Sequence, residues 1–152
     1  MLNPDYRDLL SAFCRHGVDY LLVGAYAMAA HGQPRATMDI DLWLKASTEN
    51  ARRTIAALVD FGAPPEALDV SAFEVPGTIV QLGVAPRRID LLTRIDGVEF
   101  DHAVRRALQV PIDGMLVPTI GLADLIANKR ATGRPQDRID ADRLAGIPPE
   151  SG

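Results

Sequence analysis

The segment at residues 38–44, MDIDLWL, constrains the fold more than any other stretch of this 152-residue chain. Polar and apolar side chains alternate in it, which is typical of a β-strand with one face toward a core, and the alternation puts Asp39, Asp41 and Trp43 on one face. Two carboxylates in an apolar strand repel each other and lose hydration. Either that face is exposed to water, or a cation lies between the two carboxylates.

Hydrophobic periodicity and turn residues predict that this strand belongs to an irregular series of strands and helices. The predicted helices lie between the Asn3 cap and Gly17, at 25–32, after a cap at Ser47 or Thr48, and at 100–107, 122–131 and 137–144. The other predicted strands lie at 19–24, 79–83 and 88–92 and in a hairpin at 110–120 that turns at Asp113-Gly114. The irregular order favours an α/β (α+β) fold with a mixed sheet over strict βαβ winding. No repeat or linker divides the chain, so a single domain at 1–152 is predicted.

Three finer expectations concern packing. Cys14 is expected to be a small buried side chain of the first helix. Ala51, Ile55, Leu58 and Val59 are expected to form the buried stripe of the third predicted helix. Residues 62–73, GAPPEALDVSAF, are predicted to be a proline-containing connector.

Charge and cysteine content limit the classes of function. The formal charge of −4 argues against a broad nucleic-acid-binding surface. One cysteine excludes an internal disulfide framework and fits a reducing compartment. The N-terminal residues do not resemble a signal peptide and no apolar run approaches the ~20 residues of a membrane span. We therefore expect a soluble, cytoplasmic protein with no membrane partner.

A third aspartate makes a metal site a specific possibility. Asp39 and Asp41 lie ~6.6 Å apart along one strand face, and Asp90 lies in the apolar strand RRIDLLT. If the two strands are neighbours, three carboxylates converge, and hard oxygen ligands suit Mg²⁺. Mg²⁺ is often shared with substrate phosphates, so this set indicates phosphoryl or nucleotidyl transfer. The alternative is a strand face exposed to water.

Several residues elsewhere could support such a site. Gly24, between a strand and a helix, predicts a backbone cradle for an anion, although it could serve only close packing. Arg35 and Thr37 could contact a triphosphate or simply lie in a solvated loop. His31 is expected to interact with the end of its helix rather than with a metal. Trp43 is expected to pack under a helix rather than to stack on a base.

The quoted motifs resemble the nucleotidyltransferase superfamily related to DNA polymerase β, and more closely its small stand-alone bacterial members, the MNT-like group that includes toxin–antitoxin components. The superfamily pattern is Gly-Ser or Gly-Gly, a gap, Asp-x-Asp and a later Asp. Here Gly24-Ala25 is followed after thirteen residues by Asp39-Ile40-Asp41, then by Asp90. The stretch LIANKRATGRPQDRIDADRL is similar to a late family motif with a functional lysine and a downstream aspartate.

The resemblance implies a nucleotidyltransferase core at about 17–112 and a C-terminal helical part at about 120–146. It implies that an NTP is the substrate, that Mg²⁺ or Mn²⁺ is the cofactor, and that an NMP group passes to an acceptor hydroxyl of a protein, RNA or small molecule. A cognate toxin or antitoxin and a homo-oligomer are further implied partners. The implied site consists of metal ligands Asp39, Asp41 and Asp90, phosphate contacts Gly24, Ala25, Arg35 and Thr37, catalytic Lys129, and secondary candidates Asp137 and Asp140.

Ala25 departs from the family pattern, because many members have a serine there whose hydroxyl can contact a phosphate. A backbone N–H at this position can still bind an anion. The departure leaves an alternative open, in which the chain is a catalytically weak or inactive nucleotide-binding, antitoxin-like partner protein. Lys129 likewise has an alternative, an ordinary solvated helix end that it would share with Arg130. The complete set of three carboxylates favours the enzyme.

Overall fold

The computed structural model describes residues 2–34 and 39–148. In these ranges it has seven α-helices: α1 Pro4–Arg15, α2 Gly24–Ala30, α3 Thr48–Phe61, α4 Val70–Glu74, α5 Phe100–Arg105, α6 Leu122–Ala131 and α7 Pro135–Leu144. The six strands are β1 Tyr20–Val23, β2 Ile40–Leu44, β3 Ile79–Leu82, β4 Ile89–Leu92, β5 Leu108–Ile112 and β6 Met115–Thr119. A short 3₁₀ helix covers Pro65–Ala67.

The six strands form one mixed sheet in the order β3-β4-β2-β1-β6-β5. The strand β2 lies at its centre, antiparallel to β1 and parallel to β4. The hairpin β5–β6 extends the sheet on the other side, where β6 runs parallel to β1. The predicted mixed sheet is therefore confirmed, and the two aspartate-bearing strands are neighbours.

Each face of the sheet packs on its own hydrophobic core. One core contains Ile40, Leu42 and Leu44 of β2 together with buried residues of α1 and α3. The other core contains Trp43 of β2 and residues of β1 and of the helices α2, α5, α6 and α7. The predicted alternation of β2 is thus confirmed, and the face that bears the aspartates is the one under α2 and α5 to α7.

Local hydrogen bonds explain where several elements begin and turn. The Asn3 side chain accepts a hydrogen bond from Asp5 N–H at the start of α1, and Ser47, rather than Thr48, caps α3 by accepting from Asn50 N–H. The hairpin turns at Asp113-Gly114, as predicted, and both residues have positive φ angles of 48° and 80°. Pro135 is the first residue of α7, two residues before the predicted start.

The three packing expectations were wrong at least in part, and two of them concern side chains of α1 and α3. Cys14 is exposed, because α1 turns Tyr6, Leu9, Leu10, Ala12 and Phe13 toward the core instead. Val59 is exposed as well, because the buried face of α3 is rotated toward Asn50, Ala51, Thr54, Ala57 and Leu58. The amide of Asn50 tolerates burial because it accepts from Asp19 N–H and donates to the carbonyls of Asp19 and Lys45.

The segment 62–73 is not a plain connector. It contains the 3₁₀ helix and the beginning of α4, whose N-cap is Asp69 and whose Phe73 is buried in the first core. The hydrogen bonds from Ser71 N–H and Oγ to Asp69 are 3.0 and 2.6 Å long and start this helix in a sequence too short for a periodic signal. Among the described helices, none is long and apolar enough to cross a membrane.

Candidate active site

The aspartates of β2 and β4 meet because the two parallel strands pair in register. Asp41 lies opposite Asp90, and Ile40 lies opposite Ile89. Residues paired in this way point to the same face of a sheet. Asp39 directly precedes β2 and is two residues from Asp41. The structure thus brings together the three carboxylates that the sequence singled out, and we call Asp39, Asp41, Asp90 and the adjacent Arg88 the carboxylate cluster.

Asp41 is the member of the carboxylate cluster with the most unfavourable surroundings for its charge. Burial raises the pKa of its carboxyl to about 6, together with the charge of Asp90, a hydrogen bond to Asp90 and the charge of Asp39. Arg88 opposes this rise only weakly. Negative charge at Asp41 is therefore incompletely compensated by the protein itself.

Arg88 is a residue of the site that sequence reasoning missed. Its Nε is 2.7 Å from Asp90 Oδ1, and its Nη2 is 3.2 Å from Asp90 Oδ2 and 3.5 Å from Asp39 Oδ2. Its backbone N–H also donates to Asp39 Oδ1 over 3.0 Å. The signal was present in the spacing, because an arginine two residues before an aspartate in an extended segment shares its face.

Tyr6 was missed as well, and no local pattern points to it. It is a buried residue of α1 whose hydroxyl donates to the Arg88 carbonyl over 3.1 Å. Burial raises the pKa of Tyr6 to about 12, with added contributions from Tyr26 and from Asp39, Asp41 and Asp90. The first helix therefore supports the site from the opposite face of the sheet.

Gly24 packs directly against Asp41. Its φ angle is +67°, and a Cβ built on it would lie 2.1 Å from Asp41 Oδ2. A side chain at this position would therefore both strain the backbone and displace the carboxylate. The packing role that we considered for Gly24 is real, and the phosphate cradle stays a prediction.

A cleft of about 580 Å³ lies beside the carboxylate cluster and unites the early and late motifs. Gly24, Ala25 and Asp41 line one part of it, and Lys129 and Asp137 line another. Its other walls come from Val23, Gly77, Thr78, Ile79, Leu92, Arg94, Ile95, Asp96, Asn128, Thr132 and Arg134. Arg35 and Thr37 lie outside the described residues.

Lys129 belongs to a second charged group, the α6–α7 cluster, which consists of Lys129, Thr132, Arg134, Asp137 and Asp140. The Lys129 Nζ is 3.3 Å from Asp137 Oδ1 and 3.5 Å from Asp140 Oδ2, and its side chain is only 15% exposed. The alternative of a solvated helix end is thus wrong for Lys129. It holds for Arg130, whose exposed side chain lies 3.8 Å from Asp142.

Asp137 is well compensated within the α6–α7 cluster. Burial raises the pKa of its carboxyl, but the Thr132 hydrogen bond, Lys129 and Arg134 outweigh burial and hold the pKa below the usual value. Thr132 Oγ1 donates to Asp137 Oδ2 over 2.7 Å, and Arg134 Nε donates to the same oxygen over 2.8 Å. Asp140 is buried and accepts from Gln136 Nε2 over 3.0 Å.

Two other candidates have structural roles. Trp43 is 2% exposed and packs edge to face on Phe100 with ring centroids 5.1 Å apart, so the packing role is confirmed. His31 caps the C-terminal end of α2, and its Nε2 donates to the Ile120 carbonyl over 2.8 Å.

The donor chemistry of the carboxylate cluster fits a hard divalent cation. Three carboxylates face one guanidinium, so the group has negative charge to spare, and carboxylate oxygens are the ligands that Mg²⁺ and Mn²⁺ prefer. Within 2–34 and 39–148, no group of three or more His, Cys, Asp or Glu side chains adopts the arrangement of a metal site. Arg88 contacts carboxylate oxygens of Asp39 and Asp90 that a cation would also use.

Comparisons with known proteins identify a family and a shared fold. A family described as "Nucleotidyl transferase of unknown function (DUF2204)" matches residues 3–150. The fold is similar to that of TM1012, a candidate nucleotidyltransferase from Thermotoga maritima, with TM-score 0.64, 15% identity and 97% of each chain covered. No curated protein matches the chain.

Two structures of the antibiotic-resistance factor ANT(2'')-Ia are also similar in fold. The crystal structure of ANT(2'')-Ia with adenylyl-2''-tobramycin has TM-score 0.56 and 16% identity, and covers 92% of this chain and 84% of that one. The solution structure has TM-score 0.55 and 14% identity, and covers 93% and 80%. At these identities the likeness shows the shared fold.

Proposed function

The chain belongs to the nucleotidyl transferase family that matches residues 3–150, and from this membership we propose that it is a metal-dependent enzyme that transfers an NMP group from an NTP to an acceptor hydroxyl. Family membership makes the chain a nucleotidyltransferase, an activity that implies an NTP and an acceptor as reactants. The metal, the residue roles and the kind of acceptor are the proposal.

The observation that best supports the proposal is the in-register pair of Asp41 and Asp90 beside the cleft. Asp39 and Asp41 would hold Mg²⁺ or Mn²⁺, and Asp90 would complete the ligand set. When bound, such a cation neutralises charge on the triphosphate as a Lewis acid. The raised pKa of Asp41 supports this assignment, because a cation would relieve the repulsion among the three carboxylates.

In the proposed reaction the acceptor oxygen attacks the α-phosphorus, a new P–O bond forms, and the bond to pyrophosphate breaks. Asp90 is the candidate to take the proton from the acceptor hydroxyl. Backbone N–H groups at Gly24 and Ala25 would bind phosphate oxygens, and Arg35 and Thr37 are proposed to contact the triphosphate from the preceding loop.

Lys129 would stabilise the negative charge that develops on the leaving pyrophosphate. Its place in the lining of the cleft, together with Asp41, supports this role. Asp137 and Asp140 are positioning residues in this proposal, because both contact Nζ and hold the ammonium at the cleft.

The acceptor is proposed to be a protein, an RNA or a small molecule. ANT(2'')-Ia, a structural neighbour, was crystallised with an adenylylated small molecule, which makes that class worth including in a first screen. We retain from the motif resemblance the proposal that the protein acts in a bacterial toxin–antitoxin pair. If the chain is the toxin of such a pair, expression of the wild type in a bacterial host should arrest growth, and expression of Asp39→Asn should not.

The decisive experiment is incubation of the protein with each of the four labelled NTPs, Mg²⁺ and a cell extract. Label should enter one class of product in the presence of Mg²⁺ and remain in the NTP after chelation. Asp39→Asn, measured in parallel, should form no product. If the wild type binds an NTP but forms no product with any fraction of the extract, the alternative of a nucleotide-binding partner protein, which Ala25 suggested, replaces the enzyme.

A further inference from the structure

We propose that the Arg88 guanidinium is the resident counter-ion of the three aspartates of the carboxylate cluster. The guanidinium holds the Asp39 and Asp90 carboxylates in place, and it must move away from them before a divalent cation binds. The inference rests on the proposed function, since it concerns how the same cluster exchanges one positive charge for another. Arg88 is thus a positioning residue: it holds the carboxylates before a cation binds and takes no part in the nucleotidyl transfer itself.

The side chain of Arg88 engages the oxygens that a metal would need. Both oxygens of Asp90 lie within 3.2 Å of the guanidinium, through Nε and Nη2. The same Nη2 is 3.5 Å from Asp39 Oδ2. A bidentate, charge-assisted contact of this kind is among the strong hydrogen-bonded contacts of a carboxylate. A divalent cation and the guanidinium compete for the same lone pairs and repel each other.

The backbone of Arg88 is fixed independently of its side chain. Its carbonyl accepts from the Tyr6 hydroxyl at 3.1 Å and from Ile40 N–H at 3.0 Å, while its N–H donates to Asp39 Oδ1 at 3.0 Å. The side chain is 31% exposed, compared with 12% for that of Asp90. The guanidinium can therefore turn toward solvent without disturbing either strand, and Asp39 retains its backbone hydrogen bond.

This arrangement explains why three carboxylates can be built next to one another before any ligand arrives. Without a positive charge they would repel one another on a partly buried surface. With Arg88 in place, Asp39 and Asp90 are partly neutralised, and Asp41 is left facing the cleft. The cluster is then preorganised for a cation, at the cost of a competitor that weakens metal binding.

The test is Mn²⁺ binding to nucleotide-free protein, measured by electron paramagnetic resonance and by calorimetry. Arg88→Met removes the charge but retains a long apolar stem. We expect it to bind Mn²⁺ at least about tenfold more tightly than the wild type. Arg87→Met is the matched control, because Arg87 is the exposed neighbouring residue with the same charge, and we expect its affinity to change by less than about twofold.

A melting experiment on the same samples gives a second readout. In EDTA, Arg88→Met should melt below the wild type because the carboxylates lose their counter-ion. Saturating Mn²⁺ should raise its melting temperature by more than it raises that of the wild type. If Arg88→Met does not fold, Arg88→Lys retains a charge without the bidentate geometry and should bind Mn²⁺ more tightly than the wild type by a smaller factor.

Unchanged or weaker Mn²⁺ binding by a folded Arg88 variant would overturn the inference. The result can be separated from failure of the proposed function by Asp39→Asn and Asp41→Asn. If these variants abolish Mn²⁺ binding while Arg88→Met does not tighten it, the metal site stands and only the role of Arg88 fails. If neither the wild type nor Arg88→Met binds Mn²⁺, both the inference and the proposed metal site fail.

Discussion

Two groups of charged residues flank the same cleft, and they shift the pKa of their aspartate carboxyls in opposite directions. In the carboxylate cluster, one guanidinium pairs with Asp39 and Asp90 but not with Asp41, and the pKa of Asp41 rises to about 6. In the α6–α7 cluster, two aspartates share an ammonium and a guanidinium, and the pKa of Asp137 falls below its usual value. Asp137 is buried and Asp41 is half-buried, so burial alone does not explain the difference.

The balance of charge and hydrogen bonding separates the two groups. Asp137 accepts hydrogen bonds from Thr132, Arg134 and Lys129, which together offset its desolvation. Asp41 faces two other carboxylates and only a remote guanidinium. The negative charge of the α6–α7 cluster is compensated within the protein, so this cluster stabilises the fold. An added cation would instead stabilise the carboxylate cluster. This contrast supports a metal site at Asp41 and a structural role for the aspartates that contact Lys129.

The largest effect is expected from a substitution in the carboxylate cluster. Asp39→Asn removes a charged metal ligand, and we expect Mg²⁺-dependent NTP binding to weaken strongly and nucleotidyl transfer to fall by at least ~1000-fold, about 4 kcal/mol of transition-state stabilisation. Calorimetry with ATP, GTP, CTP and UTP and the transfer rate measure the two effects. Asp142→Asn removes an exposed acid of α7 and serves as the control. Equal NTP binding with and without Mg²⁺ would count against the metal site.

The next effect tests the α6–α7 cluster. Lys129→Ala leaves Asp137 and Asp140 with one cation fewer, and we expect it to lower the free energy of unfolding by ~2–4 kcal/mol, because breaking a buried ion pair leaves an uncompensated charge. Nucleotidyl transfer should also fall by roughly ten- to a thousandfold, since the ammonium faces the cleft. Thermal melting and the transfer rate are measured on the same sample.

A double variant separates the two roles of Lys129. Asp140→Asn removes one of the charges that Lys129 neutralises, so Lys129→Ala combined with Asp140→Asn should recover about half of the lost stability. It should recover none of the transfer rate. An unchanged transfer rate in folded Lys129→Ala would remove the late motif from the catalytic argument.

The contrast also shows how far the sequence alone leads. The alternation of β2 and the Asp113-Gly114 turn follow from local rules, and both were predicted correctly. The predictions that Val59 and Cys14 are buried were wrong, because neighbouring elements, and not the helix periodicity itself, decide which edge of an apolar stripe is buried. Asn50 illustrates this, since its burial depends on carbonyls of Asp19 and Lys45.

The candidate site likewise has residues that could be predicted from the sequence and contacts that could not. Asp39, Asp41, Asp90 and Lys129 could be chosen from spacing and motif resemblance, but their contacts depend on long-range pairing. The order of the strands places β4 beside β2, and no local pattern contains that order. Tyr6 is 82 residues from Arg88 in sequence, so its hydrogen bond to the Arg88 carbonyl could not be predicted without the fold.

A smaller effect is expected from the glycine that packs on Asp41. Gly24→Ala introduces a Cβ 2.1 Å from Asp41 Oδ2 on a backbone with φ of +67°, and we expect a loss of ~2–3 kcal/mol in unfolding free energy from strain and displacement together. Gly32→Ala is the matched control, because Gly32 has a φ of +88° and a Cβ added there would meet nothing within 4 Å. It should lose only ~1 kcal/mol, from the left-handed backbone alone. Equal losses, by urea titration, would show that Asp41 yields freely to the new methyl group.

The smallest effect concerns the charge of Asp41 itself. A carboxyl whose pKa is higher in the folded than in the unfolded chain destabilises the folded state wherever it is ionised. The penalty is absent below the unfolded pKa, grows as the pH rises from about 4, and is complete above the folded pKa of about 6. These values correspond to no more than ~3 kcal/mol, and contact of this half-buried group with solvent reduces the expected penalty to ~1–2 kcal/mol.

Asp41→Asn removes that penalty, so in EDTA the variant should be more stable than the wild type by ~1–2 kcal/mol at pH 7, and the two should converge as the pH falls from 6 to 4. Asp137→Asn should behave in the opposite way, because the folded-state pKa of Asp137 is lowered. It should be less stable than the wild type at pH 7, with a difference that shrinks only as the pH falls through the lowered pKa. Urea unfolding of both variants between pH 2 and 7 measures the two differences. If Asp41→Asn is less stable than the wild type at every pH, the carboxylate cluster is as fully compensated as the α6–α7 cluster, and the electrostatic argument for a cation at Asp41 is lost.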